Sequence, residues 1–479
     1  MPEAPVRSSM ARWLLGAAGA GLMVATGACS MAPDYHAPET ASVPAFKEVA
    51  GWSPAHPADA AARGPWWQSY GDPVLDDLEA RAEAASPTLA AALARYDSAR
   101  AAAREAGADL LPTASVNGSA ARDRVSAGRP LSTGRAVTYD DYIVGGSLSY
   151  EVDLWGRVRN SARASAAEAD ASKADLASAR LSLQASVADA YFRLRGLDAE
   201  ARLLAQSVDA FARAYELTKT RHEGGIASGI DVNRAHTVLA NAQALVAENA
   251  NQRAATEHEL AALTGAVASQ FTLASTADTA LPTPFVAAVG TPSTLLERRP
   301  DVAAAERRVF AANAEIGVAR AAFFPSLTLG ASGGWRTTHG DIFSAPNTFW
   351  GLGPLSSVLT LFDGGKRKAQ VRMARADYEA IAANYRQTVL TAFREVEDAI
   401  AAQRQLAAQG AAQKEAADAA GRTSEIAMSR YRDGASDYLE VVTAQTDALS
   451  AKRAYILVET QRMQASVALV RALGGTGSA

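Results

Sequence analysis

The chain has 479 residues, of which 48% are hydrophobic and 20% are charged, a composition typical of an ordered protein. Its 47 basic and 51 acidic residues give a net charge of −4, so no basic excess points to nucleic-acid binding. A single cysteine excludes an intramolecular disulfide and a cysteine-based zinc cluster, and a mean hydropathy of −0.06 excludes a bundle of membrane-spanning helices.

The amino terminus is typical of an exported protein. Arg7 and Arg12 precede an uncharged run over residues 13–28, which is the pattern of a secretory signal. Cys29 follows small residues and resembles the acylated cysteine of a bacterial lipoprotein, although Thr26 stands where leucine is usual. We expect residues 1–28 to be removed and Cys29 to carry diacylglycerol and an N-acyl chain in the outer membrane. The alternative is an ordinary signal peptide followed by an incidental cysteine.

The chain contains an internal duplication. Residues 221–232 align without a gap on residues 430–441, and the same shift superposes Gly265 on Gly474. A slightly larger shift superposes Pro87 on Pro300. We predict a signal peptide, an extended lipidated segment, a first repeat, a linker, a second repeat and a short tail, which correspond to residues 1–28, 29–86, 87–267, 268–291, 292–474 and 475–479.

Each repeat is predicted to contain one short helix and two long ones. Residues 87–110 favour a helix, which Pro112 ends. Residues 157–222 contain one glycine and no proline, and their apolar residues recur every three or four positions. At 1.5 Å per residue such a helix would be about 90–100 Å long and must lie against other long helices. A glycine-rich turn and a returning helix follow, and the second repeat has the same order; the predicted helices are 230–263, 366–432 and 438–472.

Four segments alternate between apolar and polar residues. The pattern is clear in residues 142–154 and 326–335, weaker in 113–121, and interrupted by Pro354 in 349–361. A transmembrane strand needs about 9–11 such residues. The alternative is a soluble hairpin in each repeat.

Four strands cannot close a barrel, and an open sheet edge is not tolerated in hydrocarbon. Three copies would supply about twelve strands, which is within the known range. We therefore predict an α+β membrane protein, in which a trimeric transmembrane β-barrel with four strands per subunit continues into a long periplasmic α-helical barrel. Residues 122–138 and 336–347 would be extracellular loops, and the helical turns would lie at the periplasmic end.

Three sequence signatures carry a resemblance to a known family. They are the string from Trp66 to Pro73, the string Arg298-Arg299-Pro300-Asp301, and residues 316–321 running into Phe323-Phe324-Pro325. These resemble the TolC-like outer-membrane efflux proteins, in the lipoprotein branch typified by OprM and NodT. The resemblance implies a homotrimer that serves as a passive exit duct for drugs or other small solutes. It also implies a periplasmic adaptor protein and an inner-membrane transporter of the RND type as partners.

The resemblance further implies that the helical turns close the tunnel at rest and meet the adaptor. Charged and polar residues flank the two turns, and the candidates are Arg221, Asp231, Arg430, Tyr431, Asp437 and Glu440. Threefold rings of Asp437 or Glu440 would attract cations. The alternative is that these residues only cap or solvate a helical hairpin. Gly225 and Gly434 occupy matched positions and are expected to adopt positive φ in the turns.

Other motifs weigh against an enzyme. Residues 330–334 match G-x-S-x-G, but they lie within a predicted strand, whereas a nucleophile elbow needs a strand-to-helix turn. The six histidines include no H-E-x-x-H motif, and His222 and His236 lie on either side of a predicted turn, where they could meet only by accident of the hairpin. We predict no catalysis, no metal and no cofactor apart from the lipid on Cys29. The remaining alternatives are a duct for type I protein secretion or metal-ion efflux, a non-conducting periplasm-spanning scaffold, and, remotely, a hydrolase that uses Ser332.

Overall fold

The computed structural model describes residues 30–38, 64–129, 134–275 and 298–475. The predicted signal peptide, Cys29 and residues 276–291 of the predicted linker lie outside the described residues. Within the described ranges the chain forms seven α-helices and four β-strands. The helices are α1 (Pro73–Ala85), α2 (Pro87–Ala108), α3 (Arg157–Glu223), α4 (Gly229–Leu263), α5 (Pro300–Ala321), α6 (Lys366–Arg432) and α7 (Tyr438–Ala472). The strands are β1 (Thr113–Val125), β2 (Val137–Glu151), β3 (Ser326–Thr337) and β4 (Thr348–Val358).

Six of the seven described helices occur as three pairs of equal length. Helices α3 and α6 have 67 residues each, α4 and α7 have 35 each, and α2 and α5 have 22 each. Both 67-residue helices begin directly after a glycine with positive φ, at 76° for Gly156 and 90° for Gly365. The local signals that start and stop each helix are therefore repeated along with the sequence.

The long helices bury the apolar stripe that their sequence predicts. On α3 the side chains of Tyr191, Leu194 and Leu204 are fully buried. Burying an apolar side chain of this size contributes about 1.5–3 kcal/mol, so packing along the stripe, rather than helix propensity, stabilises the helix.

The four strands form one antiparallel sheet in the order β1-β2-β3-β4. Strands β2 and β3 pair directly, so the hairpins of the two repeats join into a single sheet. Strands β1 and β4 are its two edges.

Register sorts the side chains of this sheet onto two chemically different faces. Residues directly opposite each other in antiparallel strands share a face. One face, here called the apolar face, carries the rows Val116, Gly146, Gly333, Trp350 and Ala114, Leu148, Ala331, Leu352. The other, here called the serine face, carries Ser115, Ser147 and Ser332 side by side, and the hydroxyl oxygens of Ser115 and Ser147 lie 2.7 Å apart.

The predicted loop and strand bounds need correction. The predicted loops 122–138 and 336–347 include residues of β1, β2 and β3, because strand pairing continues beyond the alternating pattern. Arg122 lies opposite Asp140 with a 3.6 Å ion pair, and the Arg336 guanidinium donates to Asp141 at 2.8 Å. The predicted strands 142–154 and 349–361 end earlier than expected, at Glu151 and Val358. At Glu151 the chain turns, and this carboxylate accepts a 2.7 Å hydrogen bond from Arg157.

The predicted extended segment 29–86 is also corrected, because it contains α1. The Asp72 carboxylate accepts hydrogen bonds from the backbone nitrogens of Val74 at 2.9 Å and Leu75 at 3.4 Å, and Pro73 suits the first helical position. A 3₁₀ turn over Trp66–Tyr70 precedes the helix. The Tyr70 ring packs 4.8 Å from that of Phe192, which places the first family signature in the core.

Each repeat closes with a glycine against the segment that precedes its short helix. A β-carbon on Gly265 would lie 2.3 Å from the Ala85 carbonyl oxygen, and one on Gly474 would lie 2.8 Å from the Arg298 carbonyl oxygen. In the second repeat Arg299 adds a polar junction. Its guanidinium donates to the Ala472 carbonyl at 3.0 Å and forms an ion pair with Glu395 at 2.7 Å.

The described residues divide into two compact units. The sheet unit comprises the described residues within 1–39, 96–172 and 305–385, and it contains all four strands. The turn unit comprises the described residues within 40–95, 173–304 and 386–479, and it contains both turns between long helices. Across the described ranges, no helix combines the length and the apolar character needed to cross a membrane.

Candidate functional site at the helical turns

The two long helices end in the same backbone motif. The nitrogen of Ile226 donates to the carbonyl of Arg221 at 2.8 Å, and the nitrogen of Ala435 donates to the carbonyl of Arg430 at 2.8 Å. Gly225 and Gly434 have φ values of 76° and 75°, as expected for a helix that ends in a left-handed residue. No described atom lies within 4 Å of the position of a β-carbon on either glycine, so backbone conformation rather than space requires them.

Side-chain caps start the two returning helices. The Ser228 hydroxyl accepts from the Asp231 nitrogen at 3.3 Å and donates to the Asp231 carboxylate at 3.0 Å. The Asp437 carboxylate accepts from the Glu440 nitrogen at 3.0 Å. Asp437 is thus the cap of α7, and Asp231 lies in the first turn of α4, so both stabilise helix amino termini.

Arg221 and Tyr431 join the turns of the two repeats. The Arg221 guanidinium donates to the backbone carbonyls of Tyr431 at 2.7 Å and Arg432 at 2.9 Å. The same guanidinium lies 4.5 Å from the centre of the Tyr431 ring, which is buried. The Tyr431 hydroxyl donates to Thr218 Oγ1 at 3.3 Å. One cation thus binds the end of the other repeat's helix through charge-assisted hydrogen bonds and a cation–π contact.

Tyr438 completes the apolar part of this contact. Its ring lies edge-to-face against that of Tyr431 with centroids 5.4 Å apart, and the two pack with Ala214, Ala235 and Val441. Burial, assisted by the neighbouring Tyr431 and Asp231, raises the pKa of Tyr438 to about 12. The phenol is therefore neutral at physiological pH, and it contributes packing rather than charge.

Arg430, Glu440 and Asp231 form ion pairs that are exposed or partly exposed. Arg430 lies 3.4 Å from Glu440, and Asp231 lies 3.6 Å from Arg234. Exposed pairs of this kind contribute about 0–1 kcal/mol, so they hold the turns weakly compared with the Arg221–Tyr431 contact.

The two arginines at matched positions therefore differ in role: Arg221 reaches the other repeat, whereas Arg430 stays at its own turn. Thr218 and Tyr438 also belong to the contact. Thr218 is not among the residues predicted to flank the turn. Its helical spacing is the sequence signal that could have identified it, because a residue one turn before Arg221 lies on the helix face that meets the second repeat.

The structure does not bring the two candidate histidines together. His222 Nδ1 lies 2.8 Å from the Ala227 carbonyl oxygen, and the His236 ring lies 5.4 Å from that of Tyr215. Among the described residues there is no group of three or more His, Cys, Asp or Glu side chains that could hold a metal ion. Ser332 lies inside β3, opposite Ser147 and Gly351, and not at a strand-to-helix turn.

Comparisons with known proteins agree over nearly the whole chain. The family model for outer membrane efflux proteins matches residues 78–266 and 291–475. The antibiotic efflux pump outer membrane protein ArpC of Pseudomonas putida is 33% identical over 457 residues, which cover 94% of this chain and 93% of that protein. The pyoverdine export outer membrane protein OpmQ of Pseudomonas putida is 34% identical over 435 residues, which cover 89% and 91%.

A solved structure of the outer-membrane channel OprN is similar with a TM-score of 0.85 and 30% identity, over 94% of this chain and 99% of that one. The comparisons of sequence and of fold thus agree with the family that the three sequence signatures indicate. The chain belongs to the outer membrane efflux protein family, and it is the outer-membrane component of an efflux pump.

Proposed function

We propose that three copies of the chain form a passive exit duct for drugs or other small solutes. Each copy would contribute its four strands to one transmembrane β-barrel, and the long helices would form a periplasmic α-helical barrel. The observation that carries this proposal is the pair of faces on the sheet. On the apolar face Trp350 and Leu352 are 80% and 85% exposed, whereas the opposite face presents a row of serines.

The two sheet edges support the trimer. Strands β1 and β4 are edges in one copy, and unpaired backbone groups in hydrocarbon cost several kcal/mol each. Pairing β1 of one copy with β4 of the next satisfies both edges. With three copies the ring has about twelve strands, a number within the range of outer-membrane barrels.

The gate would lie at the helical turns. In the closed state the Arg221–Tyr431 contact holds the two hairpins of one subunit together, and opening would separate them. Asp437 and Glu440, repeated three times around an axis, would form anionic rings that favour cations at the narrow end. A periplasmic adaptor would meet these turns and couple the duct to an inner-membrane transporter of the RND type. Acylation of Cys29 would add a second attachment to the outer membrane.

Cargo selection would occur upstream of the duct. The relatives are named for antibiotics and for pyoverdine, which differ greatly in chemistry, yet they match this chain at 33% and 34% identity.

Planar-bilayer recording tests the duct. The purified protein should have the mass of three chains and should produce stepwise conductance. Deleting the gene should raise the susceptibility of the cell to the exported compounds. A silent bilayer from correctly folded trimer would contradict a duct and would favour a non-conducting scaffold, and conductance without any change in drug susceptibility would point to another cargo.

A further inference from the structure

A groove lies between α3, α5 and α6 in the sheet unit. Its volume is about 670 Å³, and its lining is mainly apolar. Ala164 and Ala312 in this lining are buried, whereas the Met373 side chain is 64% exposed and Ile381 is partly exposed. A cavity of this size, apolar with a few polar groups, is typical of sites that bind small organic molecules.

The charged side chains that line this groove are mainly acidic. They are Glu168, Glu315, Asp377 and one cation, Arg308. Arg308 forms a 3.3 Å ion pair with Glu168, whereas Glu315 and Asp377 have no ion-pair partner among the described residues. Desolvation raises the pKa of Glu315, because its carboxylate loses water without gaining a cation. A cation in the groove would supply the charge that these two acids lack.

Strand order places the groove inside one subunit. Helix α3 follows β2, α5 precedes β3 and α6 follows β4, and these three strands are neighbours in the sheet. Helix α5 therefore lies between α3 and α6. The Arg308–Glu168 ion pair joins α5 to α3, and the Arg367 guanidinium of α6 lies 5.4 Å from the centre of the Phe323 ring, directly after α5. Assembly of the proposed trimer through the edge strands β1 and β4 would leave this groove open.

The groove opens on the side of α5 opposite to residues 30–35. These residues cover one stripe of the helix, where the Pro33 carbonyl accepts from Asn313 Nδ2 at 2.9 Å. At about 3.6 residues per turn, Arg308 and Glu315 lie on the opposite side of the helix. A tubular wall of helices has an outer side and a side that faces the bore. Three covering segments inside the bore would narrow a duct, so the open groove is the side that would face the bore.

We propose that this groove binds amphiphilic organic cations as they pass through the bore. The inference rests on the proposed duct and adds a class of cargo to it. The apolar lining would bind the hydrocarbon part of the solute, and Glu315 and Asp377 would attract its charge. A half-open groove holds such a solute only briefly, which suits a duct, because conduction requires release as well as binding. Solutes of other chemistry would pass without binding here.

Tetraphenylphosphonium is the probe for this site, because it is apolar and permanently cationic. Tetraphenylborate has the same shape and the opposite charge, so it controls for hydrophobic binding alone. Equilibrium dialysis of the purified protein, with equal detergent on both sides, gives the affinity for each ion. Tetraphenylphosphonium should bind at least about tenfold more tightly, and added salt should reduce the difference. In planar bilayers it should also lower the current through single channels.

Charge-removing variants locate the binding site. Glu315→Gln combined with Asp377→Asn removes both charges at nearly constant volume and should weaken tetraphenylphosphonium binding by at least about tenfold. Met373→Gln replaces an exposed apolar contact and should weaken it about twofold or more. Glu379→Gln is the matched control, because it removes an exposed acid from the other side of α6, and it should leave binding unchanged. All of these variants should keep the wild-type conductance when the probe is absent.

Equal binding of the two ions would overturn the proposal, and so would wild-type affinity in the double variant. Binding that leaves the current of an open channel unchanged would also overturn it, since the groove would then lie outside the bore. Dialysis does not depend on conduction. A silent bilayer together with cation-selective binding that the double variant loses would therefore refute the duct and not the groove.

Discussion

At the residue scale, Gly265 and Gly474 show why the repeats keep glycine at matched positions. Both have positive φ, at 72° and 81°, and both lie against a backbone carbonyl that leaves no room for a β-carbon. The sequence alignment predicts that the two glycines correspond. It does not predict the carbonyls of Ala85 and Arg298, because these come from distant segments.

Gly265→Ala should destabilise the protein by about 2–4 kcal/mol, because it adds a steric clash to the cost of a left-handed alanine. Gly225→Ala has the same backbone cost without a clash and should lose only about 1–2 kcal/mol. Guanidinium unfolding followed by circular dichroism gives the comparison. Equal losses in the two variants would show that the close contact with Ala85 contributes nothing.

Glu79 is a buried acid on α1. It is 1% exposed, and neither carboxyl oxygen has a hydrogen-bond partner among the described residues. Burial, with smaller contributions from Glu83 and Asp76, raises the pKa of Glu79 to about 9. The folded protein therefore carries this group protonated at neutral pH.

Stability should fall as pH rises from about 4.5 to about 9, because the unfolded chain ionises Glu79 from about its ordinary pKa of 4.5 while the folded chain holds the proton. Glu79→Gln removes the ionisation and should flatten this decline. The midpoints of guanidinium unfolding at about pH 5, 7 and 9 measure how steeply the stability falls with pH. Glu105→Gln, at an exposed position on α2, is the control and should retain the decline; an unchanged slope in Glu79→Gln would refute the assignment.

At the scale of elements, the sequence predicts the ends of the long helices almost to the residue. The spacing of their apolar residues and the glycines at their ends are both local signals. The strand ends are less predictable, since they depend on pairs such as Arg336 with Asp141 that join different repeats. Helix α1 has a local signal in Asp72 before Pro73, which the expectation of an extended segment overlooked. The segment over residues 30–38 has no such local signal, because its partners Asn313 and Arg320 on α5 are distant in sequence.

Adjacent residues of β2 should respond oppositely to the same change. Leu148→Arg puts a charge on the apolar face and should reduce membrane insertion by about 2–4 kcal/mol if this residue is near the bilayer midplane. Ser147→Arg puts it on the serine face and should leave insertion intact while it lowers cation conductance. Outer-membrane fractionation and planar-bilayer recording measure the two effects. Normal insertion of Leu148→Arg would contradict the proposed orientation of the sheet.

The turn contact yields a further prediction for the gate. The sequence predicts which residues flank the turns, but the pairing of Arg221 with Tyr431 depends on how the two repeats pack. Arg221→Ala removes two charge-assisted hydrogen bonds and a cation–π contact, so it should raise the open probability by about tenfold or more. Arg213→Ala, at an exposed position on the same helix, should leave gating unchanged. If both variants gate like the wild type, the contact does not hold the duct closed.

At the scale of the whole molecule, duplication unites these observations. Two repeats supply two hairpins to one sheet and two turns to one contact, and the family model matches the chain once in each repeat. Membership of the family was predictable from three short signatures. The cargo was not predictable, because these signatures identify the family and not the compound that a member exports.

The equal lengths of α3 and α6 constrain how such a chain can evolve. One residue inserted into α3 would advance its turn by 1.5 Å and rotate it by about 100°, which would carry Arg221 away from Tyr431. Insertions and deletions should therefore survive only when both hairpins change together and by whole turns. A duct for a wider or narrower periplasm would have to be lengthened or shortened twice, in two separate stretches of one gene.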